Sequence, residues 1–110
     1  NILLTSTVCV QELIHLCQTG KLEENSGKRR NPVNPIGAIE RIQEAGIQII
    51  PVSERHLQQF SELPLMNDHR DPNDRLVIAQ AISDKTALIS SDHKFSLYEK
   101  NGLDFVFNER

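Results

Sequence analysis

The chain has 110 residues, of which 38% are hydrophobic and 25% are charged, and its formal net charge is −3. This length is enough for one domain with a modest core and too short for two. The sequence contains no apolar run that could cross a bilayer and opens with no signal-peptide pattern. We therefore expect one soluble globular domain over residues 1–110, without the overall positive charge typical of a nucleic-acid binder.

The two cysteines, Cys9 and Cys17, lie in one predicted helix and are separated by about 12 Å along its axis. This separation is too long for a mutual disulfide, so the pair indicates a reducing cytoplasm. Neither cysteine has a partner at the spacing of zinc ligands. We expect a cytoplasmic protein in which both thiols belong to the core.

The first half of the chain predicts two strands and two helices. The strands are "ILLTST" and "IQIIPV", which are short, apolar and partly β-branched. Between them lie a helix in "VCVQELIHLCQTGKL", a Gly/Asn/Pro-rich loop in "GKLEENSGKRRNPVNP", and a second helix in "IGAIERIQEAG".

The second half predicts three helices and two strands. Ser53 precedes the helix "ERHLQQFSEL", and "DPNDRLVIAQAISD" is the clearest helix, with Asp71 as its N-cap and Pro72 at the first helical position. The strand "ALIS", the short helix "HKFSLYEKNG" and the strand "LDFVFN" complete the chain. Because the strands are apolar runs that alternate with helices, we expect an α/β fold with a parallel sheet covered on both faces.

Three acidic residues are expected at one edge of this sheet, beyond the carboxyl ends of its strands. Asp92 follows the strand "ALIS", Asp74 lies in the first turn of the preceding helix, and Glu12 lies early in the helix after "ILLTST". Each has a simpler explanation: Asp74 can complement the helix dipole, Asp92 can cap the next helix, and Glu12 can be an exposed helical acid.

Together the three acids indicate a metal site. Two unit charges 4 Å apart repel by about 4 kcal/mol at an effective dielectric constant of 20, so a cluster of carboxylates requires protons or a cation. Oxygen ligands select hard ions such as Mg²⁺ or Mn²⁺, and a Mg²⁺ site on carboxylates suits phosphodiester hydrolysis.

The segments "HRDPNDRLVIAQA" and "ALISSDHKFSLY" closely resemble the second half of a PIN domain, in the form found in VapC-like toxins of bacterial toxin–antitoxin pairs. The family pattern there is a DPxDR-type helix start and a strand that ends in T/S-x-D. "STVCVQELIHLCQTGKL" resembles the family's earlier S-x-x-x-x-E helix. The resemblance implies a three-layer α/β/α fold with a central parallel sheet, and single-strand-specific RNA cleavage that depends on Mg²⁺ or Mn²⁺.

Carried over residue by residue, the resemblance implies that Glu12, Asp74 and Asp92 are the catalytic, metal-binding acids. Ser90 stands where the family has a hydroxyl that lines the site, and Asp71 is a cap close enough to assist it. The family's first acid lies on an opening strand, in a motif like L-D-T/A-x-x-L, which this sequence does not contain. We therefore expect an N-terminally incomplete domain that requires about 40 upstream residues for its first strand.

The resulting hypothesis is a metal-dependent endoribonuclease that leaves a 5′-phosphate and a 3′-hydroxyl, with a cognate antitoxin as partner and a homodimeric state. His69 and His93 are candidate contacts to RNA. The predicted RNA-binding cations, each of which can instead be an ordinary surface charge, are Arg75, Lys94, Lys28, Arg29 and Arg30.

Two other functions fit the sequence less well. The first is a catalytically inactive PIN-like module whose main task is to dock a protein partner, which stays the alternative. A receiver-like signalling domain also gathers acids around Mg²⁺, but the order of acids in this chain, with a Glu within a helix and an Asp at a Pro-led helix start, fits it poorly.

Overall fold

A computed structural model describes residues 2–20 and 34–109, together with the backbone of strand residues 23–26 and 29–32. The chain forms two compact units, Asn1–Pro51 and Val52–Arg110, called the first and the second unit below. None of the helices within these described ranges is long and apolar enough to cross a membrane.

The first unit contains a parallel strand pair and two capped helices. Strand β1 (Leu4–Ser6) leads into helix α1 (Thr7–Gln18), and helix α2 (Pro35–Glu44) leads into strand β4 (Gln48–Ile50), which pairs with β1 in parallel. The Ser6 side chain accepts a hydrogen bond from the backbone N–H of Val8 in α1, and the Asn34 side chain accepts one from that of Ile36 in α2, which fixes where each helix begins.

Between these helices, strands β2 (Glu23–Ser26) and β3 (Arg29–Pro32) form an antiparallel hairpin. The prediction of an irregular loop in this segment is therefore wrong. The prediction for the cysteines is correct for Cys17, which is buried, and wrong for Cys9, which is exposed.

The second unit contains the larger core. Helices α3 (Glu54–Glu62) and α4 (Pro72–Asp84) are followed by strand β5 (Ala87–Ser90), a 3₁₀ helix (His93–Asn101) and strand β6 (Asp104–Phe107), which pairs with β5 in parallel. Ile78 of α4 and Tyr98 of the 3₁₀ helix have no exposed surface. The other buried side chains of this core are Leu63, Ala79, Ala81, Phe95 and Leu103.

Helix α4 has the boundaries that its sequence predicts. The Asp71 carboxylate accepts hydrogen bonds from the backbone N–H groups of Asn73 and Asp74, and Pro72 occupies the first helical position. The helix ends at Lys85, whose φ of 55° is left-handed, where glycine is the usual residue.

The predicted α/β class with parallel strands is confirmed, with one parallel pair in each unit.

Asp84 at the end of α4 is held by two side chains of α3. The Nδ1 atom of His56 accepts a hydrogen bond from the Ser53 N–H, so its Nε2–H is the donor to Asp84 Oδ1, 2.8 Å away. The Arg55 guanidinium forms an ion pair with the same oxygen. Burial raises the pKa of Asp84, but the hydrogen bonds from His56 and Arg55 and the positive charge of Arg55 outweigh it and lower the pKa below its ordinary value.

Because the pKa of Asp84 is lower in the folded chain, this carboxylate stabilises the fold above its unfolded pKa of about 4 and loses that effect as the pH falls through the folded pKa. We expect Asp84→Asn to lower the free energy of unfolding at pH 7 by about 1–3 kcal/mol. The variant should also show a flatter loss of stability in acid, as measured by urea denaturation between pH 7 and pH 2. Parallel pH curves for wild type and variant would contradict this assignment.

Candidate metal centre

Three side chains of the second unit converge beside the start of α4: His69 in the segment before the helix, Asp74 in its first turn, and Asp92 just beyond β5. Each offers one potential ligand atom, and these atoms lie within 4.8 Å of one another. The distance from His69 Nε2 to Asp74 Oδ2 is 3.4 Å. In the parts of the chain that the structure describes, no second cluster of this kind occurs.

The helix start holds Asp74 in place. Asp71 Oδ1 lies 2.9 Å from the backbone nitrogen of Asn73 and 3.4 Å from that of Asp74, which fixes the first turn of α4. Asp71 is thus a cap, and its contribution to the site is to position Asp74. The side chain of Asp74 is 34% exposed, so its carboxylate borders solvent.

The strand end holds Asp92 in place in a similar way. Ser90 Oγ accepts a hydrogen bond from the Asp92 N–H at 3.1 Å, and Asp92 Oδ1 accepts one from the Lys94 N–H at 2.9 Å. Asp92 therefore does cap the 3₁₀ helix. A carboxylate has more acceptor sites than one cap uses, so capping and metal binding are compatible roles.

His69 is buried, with 4% of its surface exposed. Its Nδ1 lies 2.9 Å from the Tyr98 hydroxyl, and its ring meets the Phe95 and Tyr98 rings edge-on at centroid distances of 5.4 and 5.3 Å. Its Nε2 is buried without a hydrogen-bond partner. A side chain so enclosed is not available to RNA bases, so the suggested RNA contact of His69 is wrong.

A shallow depression begins at Asp92. Within it the imidazole of His93 stacks on the Phe107 ring, with the centroids 3.9 Å apart and an interplanar angle of 19°. Lys94, on the exposed side of the 3₁₀ helix, adds a positive charge. The residues that line the depression are Ser91, Asp92, His93, Lys94, Phe107 and Glu109.

Comparison with known proteins identifies the family of this chain. The family model of the PIN domain matches residues 1–101. The chain belongs to the PIN-domain family. The crystal structure of VapBC2 from Rickettsia felis, bound to a DNA fragment from their promoter, contains a chain similar to this PIN domain: the TM-score is 0.63 and the identity 18%, over 94% of this chain and 73% of that one. No curated protein sequence matches it.

The family assignment confirms the resemblance to a PIN domain read from "HRDPNDRLVIAQA" and "ALISSDHKFSLY", and the structural match shows the same fold. PIN domains typically bind divalent metal ions, and the residues of this PIN domain fit one. Two carboxylates and a buried imidazole nitrogen without a hydrogen bond all face one small volume. Such donors suit a divalent cation.

Glu12 lies in the other unit of the PIN domain, on the exposed surface of α1. The role of Glu12 as a third acidic ligand stays a prediction.

The predicted RNA-binding cations differ in their surroundings. Arg75 is 8% exposed, its Nη2 donates to the Leu63 carbonyl at 3.1 Å, and its guanidinium lies 4.9 Å from the centroid of the Phe60 ring. This side chain joins α4 to the end of α3, so its predicted role in RNA binding is wrong. Lys94 is exposed. The side chains of Lys28, Arg29 and Arg30 lie outside the described residues.

Proposed function

We propose that this PIN domain is a metal-dependent endoribonuclease and the toxin of a toxin–antitoxin pair. The observation that carries the proposal is the convergence of Asp74 and Asp92 from two separate elements, in a chain of the PIN family. Both acids also serve as local stabilisers of their helices, but neither the helix dipole nor a cap requires them to meet.

The residues proposed to hold Mg²⁺ or Mn²⁺ are Glu12, Asp74 and Asp92. When bound, such an ion lowers the pKa of water and neutralises charge on the scissile phosphate. Asp71 and Ser90 are proposed to position the acids: each accepts a hydrogen bond from the backbone N–H of the acid it supports, Asp74 and Asp92 respectively. A carboxylate that borders solvent, as Asp74 does, is placed to accept a proton from an attacking water.

The depression beside Asp92 is the proposed binding surface for the nucleotides next to the cleaved bond. The stacked His93 and Phe107 rings offer a platform for an unpaired base, and Lys94 offers a charge for a phosphate. A platform of this kind favours single-stranded RNA, because its bases are free to stack. Lys28, Arg29 and Arg30 are proposed to extend this positive surface.

We expect Lys94→Gln to weaken RNA binding and to reduce the slope of log K against log salt concentration by about 0.7, the value for one phosphate of a single strand. Binding of a fluorescent oligoribonucleotide, titrated from low to high salt by anisotropy, measures the slope. Lys100→Gln is the matched control, since Lys100 is an exposed lysine of the same 3₁₀ helix but does not line the depression. Equal slopes for the two variants would place Lys94 outside the RNA path.

An antitoxin partner is also part of the proposal. The similar structure from Rickettsia felis is a VapBC2 complex on promoter DNA, which supports a protein partner for this chain. We propose further that the protein is cytoplasmic and forms a homodimer.

The test is an RNA cleavage assay in Mn²⁺ or Mg²⁺, with EDTA as the control. We expect single-stranded RNA to be cut only in the presence of metal, and excess antitoxin to suppress the cutting. A protein that binds the neighbouring gene's product but leaves RNA intact under every metal condition would refute the nuclease and favour the docking module.

A further inference from the structure

We propose that His69 Nε2 is a protein ligand of this metal centre, so that the site has mixed nitrogen and oxygen donors and selects Mn²⁺ over Mg²⁺. The inference deepens the proposed function and rests on its metal site. It replaces the set of purely oxygen ligands that the sequence suggests.

The two buried histidines of the second unit differ in their hydrogen bonds. His56 is 2% exposed, and both of its ring nitrogens have hydrogen-bond partners, the Ser53 N–H and the Asp84 carboxylate. His69 is equally buried, but its Nε2 has none. Buried polar atoms without partners are rare in proteins, and leaving one unpaired costs about 1–3 kcal/mol. The unpaired Nε2 of His69 therefore indicates a function, such as the binding of a ligand.

The contacts of Tyr98 indicate which ring nitrogen of His69 carries the proton. The Tyr98 hydroxyl donates to the His69 carbonyl oxygen at 3.3 Å and lies 2.9 Å from His69 Nδ1. Because the carbonyl oxygen can only accept, we assign the hydroxyl proton to it, and the hydroxyl oxygen then accepts from Nδ1–H. Nε2 then carries a lone pair. A hydrogen bond from one ring nitrogen that leaves the other unprotonated is the usual arrangement of a metal-binding histidine.

His69 Nε2 faces the carboxylates of Asp74 and Asp92. Nε2 lies 3.4 Å from Asp74 Oδ2, and within 4.8 Å of a carboxylate oxygen of Asp92. Three electron-rich atoms that face one another repel unless a positive charge lies between them. A divalent cation satisfies all three atoms at once.

The packing around the His69 ring fixes its position. The His69 ring is enclosed by Phe95 and Tyr98, both of which belong to the core. Nε2 is therefore held in place before any ion arrives. An imidazole ligand favours Mn²⁺ and later transition metals, because Mg²⁺ prefers oxygen ligands and keeps its waters.

Mn²⁺ alone, added to the protein without RNA, is the probe. Electron spin-echo envelope modulation of bound Mn²⁺ should show coupling to a ¹⁴N nucleus in the wild type, and the coupling should disappear in His69→Gln. By calorimetry, we expect Mn²⁺ to bind at least about 10-fold more tightly than Mg²⁺, and His69→Gln to weaken Mn²⁺ binding by about 10–100-fold. His15→Gln, which changes an exposed histidine of α1, is the matched control and should keep the coupling.

Because His69→Gln removes a buried ring and can unfold the unit, a second variant supports the assignment. His93→Gln changes the exposed histidine next to Asp92, and the nitrogen coupling should persist in it. Coupling that is lost in His93→Gln would assign the nitrogen to His93 and overturn the proposal.

Failure of this inference can be told from failure of the proposed function. Mn²⁺ that binds without nitrogen coupling, and is weakened by Asp92→Asn, would leave a carboxylate site intact and refute the His69 ligand. Nitrogen coupling from His69 in a protein that cuts no RNA would refute the nuclease and keep the ligand. A protein that binds no Mn²⁺ would refute both.

Discussion

Asp92→Asn is expected to lower the rate of metal-dependent RNA cleavage by about 100-fold or more, since it removes one of the two carboxylate charges that meet at the centre. The substitution keeps the size of the side chain and its ability to accept a hydrogen bond. It takes away only the charge that a cation would bind. Single-turnover cleavage of a labelled oligoribonucleotide at saturating Mn²⁺ and at limiting Mn²⁺ separates weaker metal binding from slower chemistry.

This variant also tests the simpler role of Asp92 as a cap. Asn caps helices about as well as Asp, so the hydrogen bond to the Lys94 N–H should survive and the free energy of unfolding should change by less than about 0.5 kcal/mol. Asp92→Ala, in contrast, removes both roles and should also cost about 1 kcal/mol of stability. Full cleavage activity in Asp92→Asn, with reduced activity only in Asp92→Ala, would show that the residue acts through the cap alone.

Ile78→Ala should destabilise the second unit by about 2–5 kcal/mol. Ile78 has no exposed surface and lies within the core that α4 forms with Phe95, Tyr98 and Leu103. The truncation loses transfer free energy and leaves a cavity that rigid neighbours do not fill. Urea denaturation measures the change, since a lower midpoint at an unchanged slope reports lost stability directly.

Ile89→Ala is the matched control, because it makes the same chemical change in the same unit. Ile89 lies on β5 and is 58% exposed, so its truncation should cost less than about 0.5 kcal/mol. Equal losses in the two variants would mean that Ile89 is covered in solution. A small loss in Ile78→Ala would contradict the core described above.

Local signals explain which parts of the fold could be predicted. The boundaries of α4 follow from Asp71 and Pro72, whose effects on a helix start act over three residues and need no tertiary context. The hairpin of β2 and β3 could not be predicted in the same way. Its strands, "EENS" and "RRNP", lack the alternation of apolar and polar residues by which a strand is recognised, and their pairing depends on the hydrogen bonds between them.

The site was partly predictable for the same reason. The sequence predicts that Asp74 and Asp92 lie near each other because one lies in a first helical turn and the other follows a strand, and the structure brings them together. His69 precedes α4 outside any periodic pattern, so nothing in the sequence shows that its ring is buried and faces the acids. The inward position of Arg75 cannot be predicted, because charge alone does not reveal which face of a helix a residue occupies.

Tyr98 belongs both to the hydrophobic core and to the surroundings of the proposed metal ligand His69. The same side chain fills the core, with no exposed surface, and holds the ring of His69 through its hydroxyl. An ion that binds at His69 would bind only the folded second unit, so it would stabilise that unit, and the stabilisation would increase with the concentration of the ion. Under this proposal, the melting temperature of the protein rises with the concentration of the metal ion that binds at His69.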